Sequence, residues 1–371
     1  MLTRAATEFV GAITFEAVTG RAVHTALLEA GHALDHIRLA RAARAVVVAP
    51  ATADFVARAA QGRADDLLTA CLLAAGHAQG ERPVIIAPAM NDRMWAHPAT
   101  RDNVARLGAL GYIVVEPATG ALAVGEGSGP GRLPEPEELL AHVARALEPR
   151  GALRGRRVVV TAGPTREPVD PVRYLSNRSS GRMGVALAEA AWRRGAEVTL
   201  VAGPLSVPVP LQLKHVPVET TTQMREAVGA ALADADVLVM AAAPADFGAA
   251  APAASKIKKS GAARSLELVP TSDILVETRG ARRPGTVVVG FALETDDVIA
   301  NGRAKLDAKG LDMIVVNDAT EPGAGFGVDT NRVTILSRGN AGVREEALEL
   351  MPKRDVADAI LDRVEGLLGD R

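Results

Sequence analysis

The sequence predicts an α/β protein of two successive domains, each built on a parallel sheet. Three observations carry this. Short β-branched runs alternate with Ala-rich helical segments, the pattern of strands covered by helices on both faces. Several of those runs stop at small residues and Pro, where parallel strands open onto a ligand crevice. A stretch mixing charge, Pro and Gly, RALEPRGALRGR at 145–156, separates two strand–helix series and divides the chain into 1–148 and 149–371.

Bulk properties bound the partners. At 371 residues the chain is long enough for two cores. Hydrophobic residues make up 48% and aromatics only 3%, so the cores are aliphatic and Ala-rich. A net charge of −2 gives no electrostatic case for nucleic acid or an anionic membrane. One cysteine excludes an internal disulfide and a CxxC metal site, and it suits a reducing cytoplasm. No apolar run reaches the roughly 18 residues of a membrane span. Arg4 and Glu8 stand where a signal peptide would have its apolar centre.

The first domain opens on MLTRAATEFVGAITFEAVTG, which reads as a loop and helix with no first strand. His36, in Asp35-His36-Ile37, is isolated, and such histidines are more often structural or exposed. A recurrence follows. Val46–Thr52, Val84–Met90 and Ile113–Thr119 each place a β-branched run before Pro-Ala and a loop residue. Such ends in one parallel sheet line one crevice. Helical segments at Phe55–Ala60 and Asp66–Ala75 lie between them, completing a flavodoxin-like pattern that lacks its first unit. Asn91, in PAMNDRMW, sits where a strand end meets a loop. Its amide can donate to and accept from a substrate, or it caps a helix. Cys71, in the apolar run LLTACLLAA, reads as a core residue.

The second domain is organised around Arg156–Pro204. Val158–Val160 is a strand, Gly184, Leu187, Ala188 and Ala191 repeat at helical spacing, and Val198–Val201 is the next strand. The intervening loop is about three times the usual length. It carries Thr165, Arg166, Arg173, Asn177, Ser179, Ser180 and Arg182. Ser179-Ser180-Gly181 before a helix can present N–H groups to an anion, or is a solvated loop with a Ser cap. Thr221–Ala233 reads as an amphipathic helix. The strand Asp236–Met240 runs into AAAPADF, whose small residues admit a ring or sugar. Asp246 there fits a ribose hydroxyl, a magnesium ion or a turn cap. Ser255–Gly261 is a basic loop, either solvated or a triphosphate clamp. Thr271–Leu275 caps a helix, and Val287–Phe291 is a strand. Lys305 and Lys309 share one helical face and either hold phosphates or face water. Val315–Asp318 ends a strand, residues 323–336 read as a hairpin, and Lys353–Leu368 is a closing helix.

The stretch TAGPTREPVDPVRYLSNRSSGRMG, residues 161–184, closely resembles the nucleotide-binding signature of phosphopantothenate–cysteine ligases. These usually form the C-terminal half of bifunctional coenzyme A biosynthesis proteins, whose N-terminal half is phosphopantothenoylcysteine decarboxylase. The resemblance runs over nearly the whole chain. It implies a flavodoxin-like decarboxylase domain followed by a Rossmann-like α/β ligase domain.

The ligase chemistry implied uses CTP. The carboxylate of 4′-phosphopantothenate attacks the α-phosphate, pyrophosphate leaves, and cysteine displaces CMP from the acyl-cytidylate. Lys, Arg and Mg²⁺ neutralise charge. By resemblance Asn177 serves the acyl-cytidylate and its oxyanion, and Lys256 closes over it. Met240, Ala241, Ala242, Asp246, Lys256, Ser272, Asp273, Ile274, Leu275, Phe291, Lys305 and Lys309 line the nucleotide site. The family often has Asn-Pro where this chain has Thr271-Ser272. No metal ligand is assigned.

For the decarboxylase the resemblance implies FMN, with His36 catalytic and Asn91 on the substrate carboxylate. Thr3, Thr52, Ala53, Asp54, Phe55 and Ala89 lie along the flavin. Met1–Thr3 resembles the end of the family's second strand, so roughly one βα unit, on the order of 30 residues, is missing. Either the start codon is assigned too late or the domain is truncated. In GALAVGEGSGPGRLPEPEE, residues 120–138, Val124 takes the place of the family's proton-donating flap cysteine. The family also implies homo-oligomers, ligase dimers joining decarboxylase trimers.

Two rival readings remain. A nicotinamide oxidoreductase would suit a doubly wound sheet, but no G-x-G-x-x-G follows Val160. A degenerate flavin fold serving only as scaffold for an active ligase would suit Val124 and the short N-terminus.

Overall fold

The computed structural model describes every residue except 29–33, 76–81, 126, 149–150, 211, 260–264, 319–320, 322, 324, 326, 340–341 and 370–371. Pro149 and Arg150 of the expected link, Glu126 of the flap, Ser260 and Gly261 of the basic loop, and Ala324 and Phe326 of the expected hairpin lie outside the described residues. The chain forms two compact units, Met1–Leu147 and Glu148–Arg371.

The first unit runs α1 (Arg4–Thr7), α2 (Ala12–Thr19), α3 (Asp35–Ala42), β1 (Val46–Ala51), α4 (Ala53–Ala60), α5 (Leu67–Ala75), β2 (Val84–Pro88), α6 (Asp92–Ala96), α7 (Pro98–Ala109), β3 (Ile113–Val114), β4 (Ala118–Ala121), β5 (Ser128–Arg132) and α8 (Pro136–Leu147). Strands β1, β2 and β3 form a parallel sheet in that order. Every residue of β2 is buried, as its unbroken apolar run requires, whereas β1 alternates and exposes Val47. Phe55, Val56, Leu72, Ile86 and Leu107 share the core. Cys71 is buried at 1% exposure, and burial pushes its thiol above the ordinary range.

Two expectations for this unit change. Met1–Thr3 is not a strand end: Thr3 caps α1, its Oγ1 accepting from Ala6 N at 3.2 Å. The third strand stops at Val114, because the chain then leaves the sheet to form the β4–β5 hairpin. That hairpin is seated against the end of β2, where Met90 N donates to Gly131 O at 3.0 Å. A Cβ on Gly131 would fall 2.1 Å from Met90 O, so only glycine permits this approach.

The second unit runs β6 (Arg157–Ala162), β7 (Arg166–Asp170), β8 (Arg173–Ser176), α9 (Arg182–Arg193), β9 (Glu197–Ala202), β10 (Lys214–Pro217), α10 (Thr221–Leu232), β11 (Val237–Met240), β12 (Phe247–Ala249), β13 (Leu268–Pro270), α11 (Ile274–Glu277), β14 (Val287–Glu294), α12 (Val298–Ala308), β15 (Met313–Asp318), β16 (Thr330–Asn331), β17 (Thr334–Gly339), β18 (Gly342–Ala347), β19 (Met351–Pro352) and α13 (Lys353–Gly369). Its main sheet has the order β10-β9-β6-β11-β14-β15-β17-β18. It is parallel through β15 and antiparallel thereafter. The connections run one way from β6 to β9 and the other way from β11 to β15. That reversal opens a crevice at the carboxyl ends of β6 and β11.

Close helix–strand packing sets the crevice. A Cβ on Gly184 in α9 would lie 2.5 Å from Ala162 Cβ and 2.7 Å from Thr161 O, so the helix rests directly on β6. On its far end α9 is clasped by α13. Arg194 donates to Asp358 O at 3.0 Å and pairs with Asp362 at 2.8 Å, and Arg193 pairs with Asp358.

Two further expectations change. The long crossover is not simply a loop, for it contains the β7–β8 hairpin. The expected hairpin at 323–336 is displaced. Strand β17 pairs with the later β18, while Thr330 and Asn331 pair with Pro352 and Met351.

Candidate active site

A cleft of about 560 Å³ opens in the second unit. This is a small-molecule size. Its floor is the strip after β11. Met240, Ala241, Ala242 and Asp246 line it, with Ala243, Pro244 and Ala245 between them. Buried hydroxyls hold that strip in place. Thr161 Oγ1 accepts from Ala242 N at 3.1 Å, and Thr165 Oγ1 accepts from Ala245 N at 2.9 Å. Both threonines are fully buried, so an apolar replacement would leave those N–H groups without partners.

The polar crossover enters from one side. Asn177 lines the cleft and donates through Nδ2 to Ala243 O at 3.1 Å and Pro244 O at 2.8 Å. Both amide hydrogens are thus engaged, and an oxyanion could take one only by displacing a carbonyl. Ser179, Ser180 and Gly181 follow into the first turn of α9, with Gly181 left-handed at φ 80°. The N-terminal end of this 12-residue helix therefore faces the cleft.

Ser272, Asp273, Ile274 and Leu275 form another wall, with Asp273 capping α11. Phe291 comes from β14. Lys305 in α12 and Lys309, which caps its C-terminal end, both line the cleft. Lys305 lies 2.5 Å from Glu294, and Lys309 lies 3.0 Å from Asp273.

One expected residue is missing from this set. Lys256 is exposed on its loop and does not line the cleft. Conversely, the cleft has a corner that the sequence reading did not assign. Lys353, only 6% exposed, lines it and donates to Gly325 O at 2.7 Å and to Val328 O. Burial pushes this ammonium below its ordinary range, and the like charge of Arg182 pushes the same way. Asn331 lines the same corner and accepts from Asn317 Nδ2 at 3.0 Å. Asn317 Oδ1 is buried there with no partner among the described residues, a waiting acceptor. A signal for Lys353 existed: a cation at the first residue of a helix opposes the helix dipole and needs another reason to be there.

The first unit gathers its expected residues less tightly. Ala89 N donates to Ala51 O at 3.0 Å, so the loops after β1 and β2 start side by side. Thr52, Ala53 and Ala89 are small residues at those loop starts. Thr52 also caps α4, accepting from Phe55 N at 3.2 Å. Phe55 itself is 4% exposed in the core, so only its backbone is left for a cofactor. Asp54 is exposed and pairs with Arg58 at 2.9 Å. Asn91 caps α6 through its amide oxygen, accepting from Arg93 N at 2.9 Å. His36 lies apart from these, in a hollow with Leu27, Leu28 and Leu73, and its buried Nδ1 has no partner among the described residues. Val124 is fully exposed between β4 and β5.

Among the described residues no group of three or more His, Cys, Asp and Glu could hold a metal ion. No described helix is long and apolar enough to cross a membrane.

Comparison with known proteins covers both units. Residues 1–148 match the Flavoprotein family model, and residues 153–367 match the DNA/pantothenate metabolism flavoprotein C-terminal domain. The coenzyme A biosynthesis bifunctional protein CoaBC of Mycolicibacterium smegmatis is 47% identical over 382 residues, covering 99% of this chain and 90% of that one. The Bacillus subtilis protein of the same name is 43% identical over 372 residues, covering 99% of this chain and 89% of that one. A crystal structure of the C-terminal domain of a CoaBC protein superposes with a TM-score of 0.50 at 38% identity, covering 60% of this chain and all of that one. Both halves and their order agree, and the chain belongs to the family of coenzyme A biosynthesis bifunctional proteins.

Proposed function

We propose that the chain makes 4′-phosphopantetheine in two steps. The second unit joins 4′-phosphopantothenate to cysteine at the expense of CTP, and the first unit decarboxylates the product with FMN. The observation that carries the ligase is the single cleft. It brings Asn177, Asp246, Lys305 and Lys309 together with the start of α9. Family membership over both units supports the pair of activities, and for that reason the scaffold-only reading of the first unit is not preferred.

A carboxylate does not acylate an amine at neutral pH without activation, so CTP supplies a leaving group. The small residues Ala241 and Ala242 admit the nucleoside, with Phe291 beside it. Lys305 and Lys309 neutralise the triphosphate as the carboxylate of 4′-phosphopantothenate attacks the α-phosphate. Magnesium arrives with the triphosphate and needs only one or two protein carboxylates, a role the exposed Asp246 fits. Lys256 then closes over the acyl-cytidylate and excludes water. Asn177 holds the crossover against the floor strip and exchanges a carbonyl bond for the developing oxyanion.

In the first unit the small residues Thr52, Ala53 and Ala89 at the loop starts would hold FMN. Bound FMN supplies reversible hydride uptake at the thiol-bearing carbon, which lets carbon dioxide leave. Asn91 orients the substrate carboxylate, and His36, which lies apart from these residues in its own hollow, is assigned to catalysis by family likeness alone. Val124 has no proton to give, so the last proton comes from another donor.

The enzyme works in the cytoplasm as a homo-oligomer, with ligase dimers and decarboxylase trimers. Phe9, Ile13 and Val18 at or on α2 are 88%, 75% and 82% exposed, as a face covered in an assembly would be.

The deciding assay supplies the full chain with CTP, 4′-phosphopantothenate and cysteine. Pyrophosphate release that requires both acid and nucleotide, with matching amide formation, is expected. A yellow protein that releases carbon dioxide from the product is expected as well. Nicotinamide binding tighter than CTP, with no pyrophosphate, would overturn the assignment.

A further inference from the structure

The loop that carries Lys256 is fastened to the β7–β8 hairpin at two points. Ala253 N donates to Val169 O at 2.9 Å, and Ile257 N donates to Asp170 Oδ2 at 3.1 Å. Arg173 returns a bond, donating from Nη2 to Ile257 O at 2.5 Å. Asp170 divides its two oxygens between two tasks. Oδ1 closes the hairpin turn by accepting from Val172 N at 2.8 Å and Arg173 N at 2.9 Å, while Oδ2 holds the Lys256 loop.

This carboxylate has no exposed side-chain surface. Burial opposes its charge, but the three backbone donors and the Arg173 guanidinium win and hold the carboxyl below its ordinary range. A buried, ionised and fully engaged carboxylate is an expensive feature for a surface hairpin to keep only for its own turn. The strand leaving that hairpin, β8, ends one residue before Asn177. Lys256 itself is exposed and outside the cleft, so its ammonium has to move to reach substrate.

We infer that Asp170 is a positioning residue of the ligase: it pins Ile257 as the fixed point from which the neighbouring Lys256 swings onto the acyl-cytidylate, and it ties that motion to the hairpin leading to Asn177. The inference rests on Lys256 being the residue that closes over this intermediate. When closure fails, water replaces the amine of cysteine as nucleophile at the acyl carbon. The acyl–oxygen bond to the cytidylate breaks, and free 4′-phosphopantothenate and CMP leave. CTP is then consumed without amide formation.

The test is the ratio of pyrophosphate released to amide formed by the full chain. The ratio is about one in a coupled ligase, and Lys256→Gln should raise it several-fold while lowering the amide rate about 10-fold or more. Asp170→Ala should do the same. Ile257→Pro removes the N–H donor from the loop side and leaves the hairpin bonds of Asp170 intact, so it should also raise the ratio. The Asp170→Ala/Lys256→Gln double variant should be no worse than Lys256→Gln alone, since both act through one group. A merely structural role for Asp170 predicts additive losses and an unchanged ratio. Should Ile257→Pro keep the parent ratio, or should the double variant be additive while Lys256→Gln uncouples, the inference about Asp170 fails and the Lys256 assignment survives. Should Lys256→Gln itself leave rate and ratio unchanged, that assignment falls and the inference falls with it.

Discussion

Lys309 and Asp273 meet at 3.0 Å through Oδ2 of the carboxylate, and Oδ1 of the same carboxylate caps α11 by accepting from Val276 N at 3.2 Å. One side chain therefore both starts a helix on the cleft wall and holds a lysine that lines the cleft. Asp273→Asn keeps an oxygen for the cap, whereas Asp273→Ala loses it. In urea unfolding the alanine variant is expected to be about 1 kcal/mol less stable than the asparagine variant. Equal stabilities would show that the cap contributes nothing.

Lys353→Met is expected to free Gly325 and Val328, whose carbonyl oxygens the ammonium holds. Faster amide exchange there and a weaker ligase are the readouts. The pH dependence has a definite sign. Burial, then the charge of Arg182, lowers this lysine's proton affinity below the ordinary 10.5, so the unfolded chain binds more protons than the folded one between those two values. The penalty is fully present below the folded value and disappears as pH rises toward 10.5. The parent should therefore gain stability relative to Lys353→Met over that window.

Asn177→Ala should uncouple the half-reactions. Loss of one oxyanion donor costs about 10²–10³ in rate, so amide formation should fall by that factor while pyrophosphate release continues. Rapid-quench measurement of both products checks this. Amide formation at the parent rate would remove Asn177 from the chemistry.

Gly184→Ala should push α9 away from β6, since its Cβ would meet Ala162 Cβ at 2.5 Å and Thr161 O at 2.7 Å. Overpacking of this kind costs about 1–3 kcal/mol. The shift should appear as a lower thermal midpoint, with ligase activity reduced because Ser179–Arg182 move with the helix. A midpoint equal to the parent's would mean that the sheet gives way freely.

Much of this was legible in the residues. Val158–Val160, Val237–Met240 and Val287–Gly290 are Val-rich apolar runs that need burial on both faces, and the sheet buries them, leaving Phe291 partly open at the cleft. The spacing of Lys305 and Lys309 put both on one helical face because helical periodicity is a local property, but it did not say which face meets the cleft. The β7–β8 hairpin was not legible. REPVD and RYLS have no apolar alternation, Pro168 and Pro171 read as loop, and the pairing depends on Asp170 accepting from the turn. Lys353 escaped notice because its partners, Gly325 and Val328, are distant in sequence and bind through their carbonyls. Lys256 shows the opposite case: composition marked the loop as basic, but no pattern in the sequence says which way a loop faces.

The clasp between α9 and α13 has a further consequence. Each helix sends its first residue, Arg182 or Lys353, to the cleft, and the two are bolted together by Arg193, Arg194, Asp358 and Asp362, about three turns along α9 and about one and a half to two and a half turns along α13. The two helices thus act as the arms of a calliper whose hinge lies outside the site. Loosening that hinge should disturb the cleft without removing any side chain that lines it.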